Sequence, residues 1–377
     1  MVTREKKGIT FRRLWGLCPG RHVLLLVSLG WTLFYFAFRH RQDWMNGICD
    51  LLVRPWHSLM GRVGSLVPIS LAELLIALAV VLALLILWRL IRLGRQRHWR
   101  GFYRLFMSLC SLGALLFGLF CLWWGVFYYS DSFQQQSGLR AEPVSREALL
   151  ETTEYFAALA NEYSTQVHRD DNGVYTVDLD TVFDRAETLY HAVSEKYPCL
   201  QSPDTRPKPI LLSRGLSYLK TTGFFFPFTA EANINVDAPL YTIPATVAHE
   251  LAHQRGVARE DEANFVAVLS CLENGDSDFV YSAAMMAYTY LGNALHRSDY
   301  DAWHEVYLSL EESVRLDLRS NNRYWDQFET KVAEVSETMY EGFLRTYGDD
   351  RGMQSYGACV DLLVAYYGPS GSAKNKP

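Results

Sequence analysis

The 377-residue sequence has no Cys-x-x-C pair, and that absence removes paired-thiolate zinc sites from consideration. Its seven cysteines are scattered, and Cys110 and Cys121 lie in apolar runs where a thiol serves as a small hydrophobe. Cys199, Cys271 and Cys359 form an odd set in the rear of the chain, where a disulfide is allowed but no pair is named. No internal repeat is found, which excludes a stacked-repeat architecture. Positive charge is scarce after residue 130: residues 131–377 hold 20 Lys+Arg against 37 Asp+Glu, a net of −17. Nucleic-acid phosphates demand the opposite sign, so no nucleic-acid partner is expected.

The front of the chain is the reverse. Residues 1–130 carry 16 Lys+Arg and 4 Asp+Glu, a net of +12, and hold three long apolar segments at about 22–38, 69–91 and 105–129. Each is near the ~20 residues that a helix needs to cross a bilayer. Trp123, Trp124, Tyr128 and Tyr129 end the third as an aromatic belt would. Glu73 opens the second, where it can reach the interface. Arg12, Arg13 and Arg21 precede the first segment, but Arg39, His40 and Arg41 follow it instead of a small-residue cleavage site, so an uncleaved anchor is expected. Arginines crowd the N-terminus and the 92–100 loop, and both should be cytoplasmic. Three crossings then put the acidic part outside. The expected organisation is a membrane anchor over 1–130, a polar linker over 131–143, a domain over 144–367 and a disordered tail over 368–377.

Within the acidic part, Ser145–Ser164 and Asp180–Tyr197 read as amphipathic helices, with a turn at Asp170–Gly173 between them. Ile210–Ser213 is a short strand candidate. Gly223–Val236 mixes aromatic and β-branched residues between breakers and reads as extended. From Pro244 on, the pattern is nearly all helical. The fold class is therefore mainly α: three transmembrane helices, then a predominantly helical α+β domain.

The chemistry concentrates in His249-Glu250-Leu251-Ala252-His253. On a helix, residues i and i+4 share a face, so His249 and His253 can present ring nitrogens to one zinc ion. Glu250 falls beside the open position, where it can act as general base. A chance match is expected in roughly one chain in a hundred of this composition, so context matters. Pro244 suits a first helical turn with Thr242 as a cap, and Gly256 suits a left-handed helix end. A catalytic zinc wants a third protein ligand. Glu260 and Glu262 both follow; Glu260 shares a face with Asn264 and is preferred, but Glu262 is not excluded. Thr229–Asn235 could pair with substrate backbone as an edge strand, or serve only as a structural hairpin. Tyr356 is one oxyanion-donor candidate among many tyrosines. His296 and His304 read as ordinary packed or surface histidines.

HELAHQRG followed by EDEANF resembles the zincin superfamily on its glutamate-ligand side, including the membrane M48 peptidases. With GFFFPFTAEANINV and SYGACVDLLVAYY, most of the chain resembles the DUF3810 family of bacterial membrane proteins. The resemblance implies a zinc-dependent, zincin-like peptidase domain of unestablished substrate. It implies ligands at His249, His253 and Glu260, and the base at Glu250. The His253–Glu260 interval is much shorter than in M48 peptidases, so Gly256 would have to turn the chain tightly. The expected function is a membrane-anchored zinc metallopeptidase acting on peptide or protein. A non-catalytic zincin-fold sensor or scaffold, or a hydrolase of a non-peptide cell-envelope amide, remains an alternative.

Overall fold

The computed structural model describes residues 11–141, 143–346, 355–369 and 371. A short helix α1 (Phe11–Trp15) leads into α2 (Pro19–Phe38). Helices α3 (Gln42–Ile48) and α4 (Arg54–Ser65) follow, joined by a π turn at Cys49–Val53. Helices α5 (Leu71–Arg95) and α6 (Trp99–Trp123) complete the front. Helices α2, α5 and α6 are the three long and apolar enough to cross a membrane. Their bounds differ by several residues from the apolar runs: α5 and α6 include flanking arginines, and α6 stops at Trp123, before a 3-10 turn over Gly125–Tyr129.

The three are packed in a fixed order. His22 Nε2 lies 2.9 Å from the Tyr103 hydroxyl, Trp31 donates to the Gly118 carbonyl at 2.8 Å, and Tyr35 donates to that of Gly125 at 3.0 Å. Both sets of residues ascend together, so α2 and α6 are parallel and directly packed, and α5 runs antiparallel to them against α6. The N-terminus of α2 and the 95–99 turn therefore share one end of the bundle. Residues 39–70 and the described residues after 124 occupy the other.

The stretch expected to be a linker contains α7 (Phe133–Ser137), closed by a capping box from Ser132 and Gln135. Then come α8 (Arg146–Ser164), α9 (Leu179–Ala186) and α10 (His191–Lys196). The single helix expected over 180–197 is thus two, interrupted by turns. Strand β1 is Lys208–Pro209, slightly ahead of the expected Ile210–Ser213; Ile210 still donates to the Ile234 carbonyl at 3.0 Å. Helix α11 (Ser213–Ser217) precedes β2 (Gly223–Phe226) and β3 (Glu231–Ile234). The rest is helical: α12 (Ile243–Gln254), α13 (Glu260–Asn274), α14 (Ser277–Ser298), α15 (Tyr300–Ser309), α16 (Glu312–Asp326), α17 (Lys331–Thr346) and α18 (Ser355–Tyr367). Most of the tail expected to be disordered lies outside the described residues.

The sheet order is β1-β3-β2, with β1 parallel and β2 antiparallel to β3. Of the two readings of Thr229–Asn235, the structural hairpin is the one found, and the edge strand is not. Strand β3 is central and fully buried, so its backbone is already paired on both sides. The edge strands are β1 and β2, and β2 is the one beside α12.

One core is built from α8, α9, α12, α13, α14 and α18, with Phe156, Phe183, Leu251, Phe265 and Leu291 essentially solvent-free. A second cluster joins the bundle's end to the domain: Tyr35, Cys49, Val53, Trp124, Phe127, Tyr128 and Ala258. Trp124 and Tyr128 are buried there. Their aromatic surface is spent on the domain and not on lipid, contrary to the belt expected for them. The described cysteines are all free thiols.

Candidate metal centre

Helix α12 starts with proline in its first turn, but Thr242 does not cap it with its side chain; its hydroxyl donates to the Pro239 carbonyl instead. The helix ends in a Schellman motif. Gly256 sits at φ +88°, its N–H reaching the His253 carbonyl at 2.9 Å, and the Val257 N–H reaches that of Ala252 at 3.1 Å. A left-handed residue is required, and a Cβ here would lie 2.6 Å from the Phe127 ring. This turn reverses the chain within a few residues and lays the first turn of α13 against the histidine face of α12. The short His253–Glu260 interval is therefore enough.

His249, His253 and Glu260 converge. Glu260 Oε2 is 3.3 Å from His249 Nε2, and Glu260 Oε1 is 3.6 Å from His253 Nε2. One atom from each of the three lies within 4.8 Å of the others. Two atoms bound tetrahedrally at about 2.1 Å from one zinc ion stand about 3.4 Å apart, so the spacing fits. The tautomer fits as well. His253 Nδ1 lies 2.7 Å from the Val257 carbonyl and donates to it, leaving Nε2 as a free acceptor toward the trio.

The electrostatics are those of a buried charge cluster. Burial pushes the His253 imidazole down to about 4, opposed by Glu260. Burial opposes charge on Glu260 too, but the neighbouring His253 and His249 outweigh it and hold the carboxyl down at about 2. His249 is the partner that gains: burial lowers its pKa, but the hydrogen bond and charge of Glu260 raise it above the usual histidine value. Asn264 adds a hydrogen bond to His249. Glu250 is buried, and burial raises it to about 8, with His249 pulling the other way. The Phe225 amide donates to it, while its Oε2 has no hydrogen-bond partner among the described residues.

Glu262 points elsewhere. Its carboxylate accepts the backbone N–H groups of Phe133 at 2.8 Å and Gln134 at 3.2 Å, satisfying the start of α7. The structure thus brings Glu260 to the histidines and leaves Glu262 as a buried brace. His296 on α14 lies edge-on to Tyr300 and Trp303 of α15, and His304 lies against the same ring pair. Neither belongs to the trio. The side chain of Tyr356 lies outside the described residues.

Three neighbours were not foreseen. Tyr340 on α17 donates to Glu260 Oε1 at 2.6 Å. Trp124 meets His253 with ring centroids 5.3 Å apart. Gly223 on β2 leaves room for Glu250: a Cβ there would lie 2.9 Å from Glu250 Cγ and Oε1. No local signal marks Tyr340 or Trp124, because both reach the site from distant parts of the chain. The glycine before three phenylalanines was a visible cue.

No curated protein matches the chain, and no solved structure does. A family model described as Protein of unknown function (DUF3810) matches residues 50–364, well over half of the chain, and the match runs through the end of the helical bundle and the whole metal-centre region. The chain therefore belongs to the DUF3810 family.

Proposed function

We propose that this chain is a membrane-anchored zinc metallopeptidase of zincin type, in a bacterial cell membrane, with its domain on the outer side. The observation that carries the reading is the convergence of His249, His253 and Glu260 with Glu250 one residue along the same helix. His249, His253 and Glu260 would hold the ion. A zinc ion bound there supplies Lewis acidity toward a carbonyl oxygen and lowers the pKa of water to about 7.

The chain's own groups do the rest. Glu250 takes the proton of the attacking water and delivers it to the departing nitrogen. A buried carboxyl at about 8 is poised for proton exchange near neutral pH, and a dication beside it would favour its ionised form. Tyr340 fixes the orientation of Glu260 through its hydroxyl, and Val257 fixes His253. Strand β2 lies at a sheet edge beside Glu250, which accepts its Phe225 N–H, and an extended substrate backbone could add along the rest of that edge by strand pairing.

The test is a peptide-library digest by the zinc-loaded full-length chain, read by mass spectrometry, with Glu250→Gln as control. Cleavage by the wild type and none by the variant supports the reading. Equal cleavage by both, or none by either, refutes it.

A further inference from the structure

We propose that the segment between the first two membrane-length helices lies in the outer interface of the bilayer, and that it holds the metal centre at the membrane surface. The partner is a lipid surface. Resting on the peptidase reading, the substrate is a polypeptide cut close to where it leaves the membrane.

Helices α3 and α4 have two apolar faces. Met45, Cys49, Val53, His57, Gly61 and Gly64 are buried and recur every three or four residues, so they form one stripe. That stripe faces protein: Gly61 lies against Thr205 and Gly64 against Glu231. The opposite face carries Trp44, Leu51, Leu59 and Leu66, spaced seven or eight residues apart, about two helical turns. Leu51 is 78% exposed and Leu66 82%. Apart from Trp44, which stacks on Phe34 and Phe38 of α2, this face is open among the described residues.

What covers it follows from its ends. The segment starts where α2 stops and finishes where α5 starts, so both ends are tied to bilayer-length helices. Trp44 stacks on Phe38, the last residue of α2, with centroids 5.0 Å apart. The domain is pinned at the same level. Glu231 of β3 accepts the Leu71 and Ala72 N–H groups at 3.3 and 2.9 Å, and Ser70 donates to Asn233 at 2.6 Å. Glu73, in the first turn of α5, accepts the Leu211 and Leu212 N–H groups at 3.0 and 2.8 Å. Leu211 and Leu212 are 79% and 71% exposed, beside the start of a membrane-length helix. An amphipathic helix at a bilayer buries its apolar face about 5–10 Å into the headgroup boundary. Two leucines and a helix face held there have the bilayer as their solvent.

The metal centre is close to this plane. Trp124, one residue past the end of α6, touches the ligand His253. On the other side β3 contacts α5, β2 pairs with β3, and Gly223 of β2 abuts Glu250. Two strand spacings amount to about 10 Å. An extended chain rising about 3.3 Å per residue covers that in roughly three to five residues. Cleavage would fall in a short juxtamembrane stretch.

The test has two arms, both on the full chain in vesicles of phosphatidylethanolamine and phosphatidylglycerol. The first needs no catalysis. Leu51→Cys, Leu212→Cys and, as control, Leu308→Cys on α15 are labelled with an environment-sensitive fluorophore, with the unsubstituted chain as the labelling blank. Nitroxide lipids should quench the first two labels by more than about half and leave the third bright. Quenching of all three by aqueous iodide alone overturns the proposal. So does shielding of Leu51 and Leu212 from both quenchers, which would mean a second copy or another protein covers the face. The second arm uses a membrane-anchored reporter whose library stretch begins about 4, 15 or 30 residues from its anchor. Cleavage at least about tenfold faster at the shortest spacing supports the substrate class, and equal cleavage at all three overturns it. Lipid quenching without cleavage at any spacing would sink the peptidase reading and the substrate class while leaving the bilayer contact standing.

Discussion

The indole of Trp124 stands edge-on to the imidazole of His253, with centroids 5.3 Å apart and planes at 85°. A residue at the end of a membrane-length helix thus supports a candidate metal ligand directly. Trp124 also packs on Phe225 of the edge strand β2 and on Phe127, which lies over Gly256. The membrane-length helices and the candidate site share one aromatic cluster, and this coupling has measurable consequences.

Trp124→Ala should destabilise the chain by about 3 kcal/mol, as for truncation of a packed aromatic, and should also weaken zinc binding. Trp124→Phe should recover most of both. The checks are thermal unfolding in detergent and zinc affinity by chelator competition. Unchanged zinc affinity in the alanine variant would disconnect the cluster from the ligand.

Gly223→Ala should separate catalysis from metal binding. The added Cβ would meet Glu250 at 2.9 Å and the Asn233 carbonyl at 3.0 Å, so the base must shift. Displacing a catalytic group by an ångström costs up to about a hundredfold in rate, so kcat should fall at least about tenfold with zinc content intact. Peptide cleavage and metal analysis on the same sample check this. Full activity would show that Glu250 is not held as described.

Zinc affinity should fall as pH falls from about 8 to about 6, because a ligand must lose its proton to bind. The sign comes from His249. Burial disfavours its charge, but Glu260 favours it and raises the folded pKa above the usual value, so protons compete with zinc already near neutrality. His253, held down at about 4, is neutral throughout this range and adds little. Chelator competition, corrected for the chelator's own protonation, should show up to a tenfold loss per pH unit below the His249 pKa. A flat profile would contradict the His249–Glu260 coupling.

Fusing a periplasmic-type phosphatase to the C-terminus should give active enzyme, and a cytoplasm-only reporter at the same place should be silent. The packing already puts residues 39–70 and the domain at one end of the bundle, opposite the arginine-rich turn at 95–99. The reverse pattern of reporter activity would invert the orientation while leaving the site's geometry as it is.

What could be read from the sequence was what depends on local periodicity. The three apolar helices were visible from length alone. The helix carrying His249 and His253 and its left-handed end at Gly256 followed from i, i+4 spacing and one glycine. Long-range pairing was not readable. Edge strand and structural hairpin stayed open for β3 because its second partner, β1, is only two residues long. Glu260 and Glu262 occupy the same helical turn, and only the position of Phe133 and Gln134 separates a ligand candidate from a brace. Helices α3 and α4 were missed because Pro55 and a π turn interrupt them and both their faces are apolar. Tyr340 reaches Glu260 from eighty residues away.

The most direct test of the central claim is zinc content of the purified full-length chain by plasma mass spectrometry, compared between Glu260→Ala and Glu262→Ala. The expected result is about one zinc per chain in the wild type and in Glu262→Ala, and loss of nearly all of it in Glu260→Ala. Glu262→Ala should instead unfold more readily, by about 1–3 kcal/mol, from two orphaned amides. A wild type that takes up no zinc, or a Glu260→Ala variant that keeps it while Glu262→Ala does not, would contradict the metal centre described here.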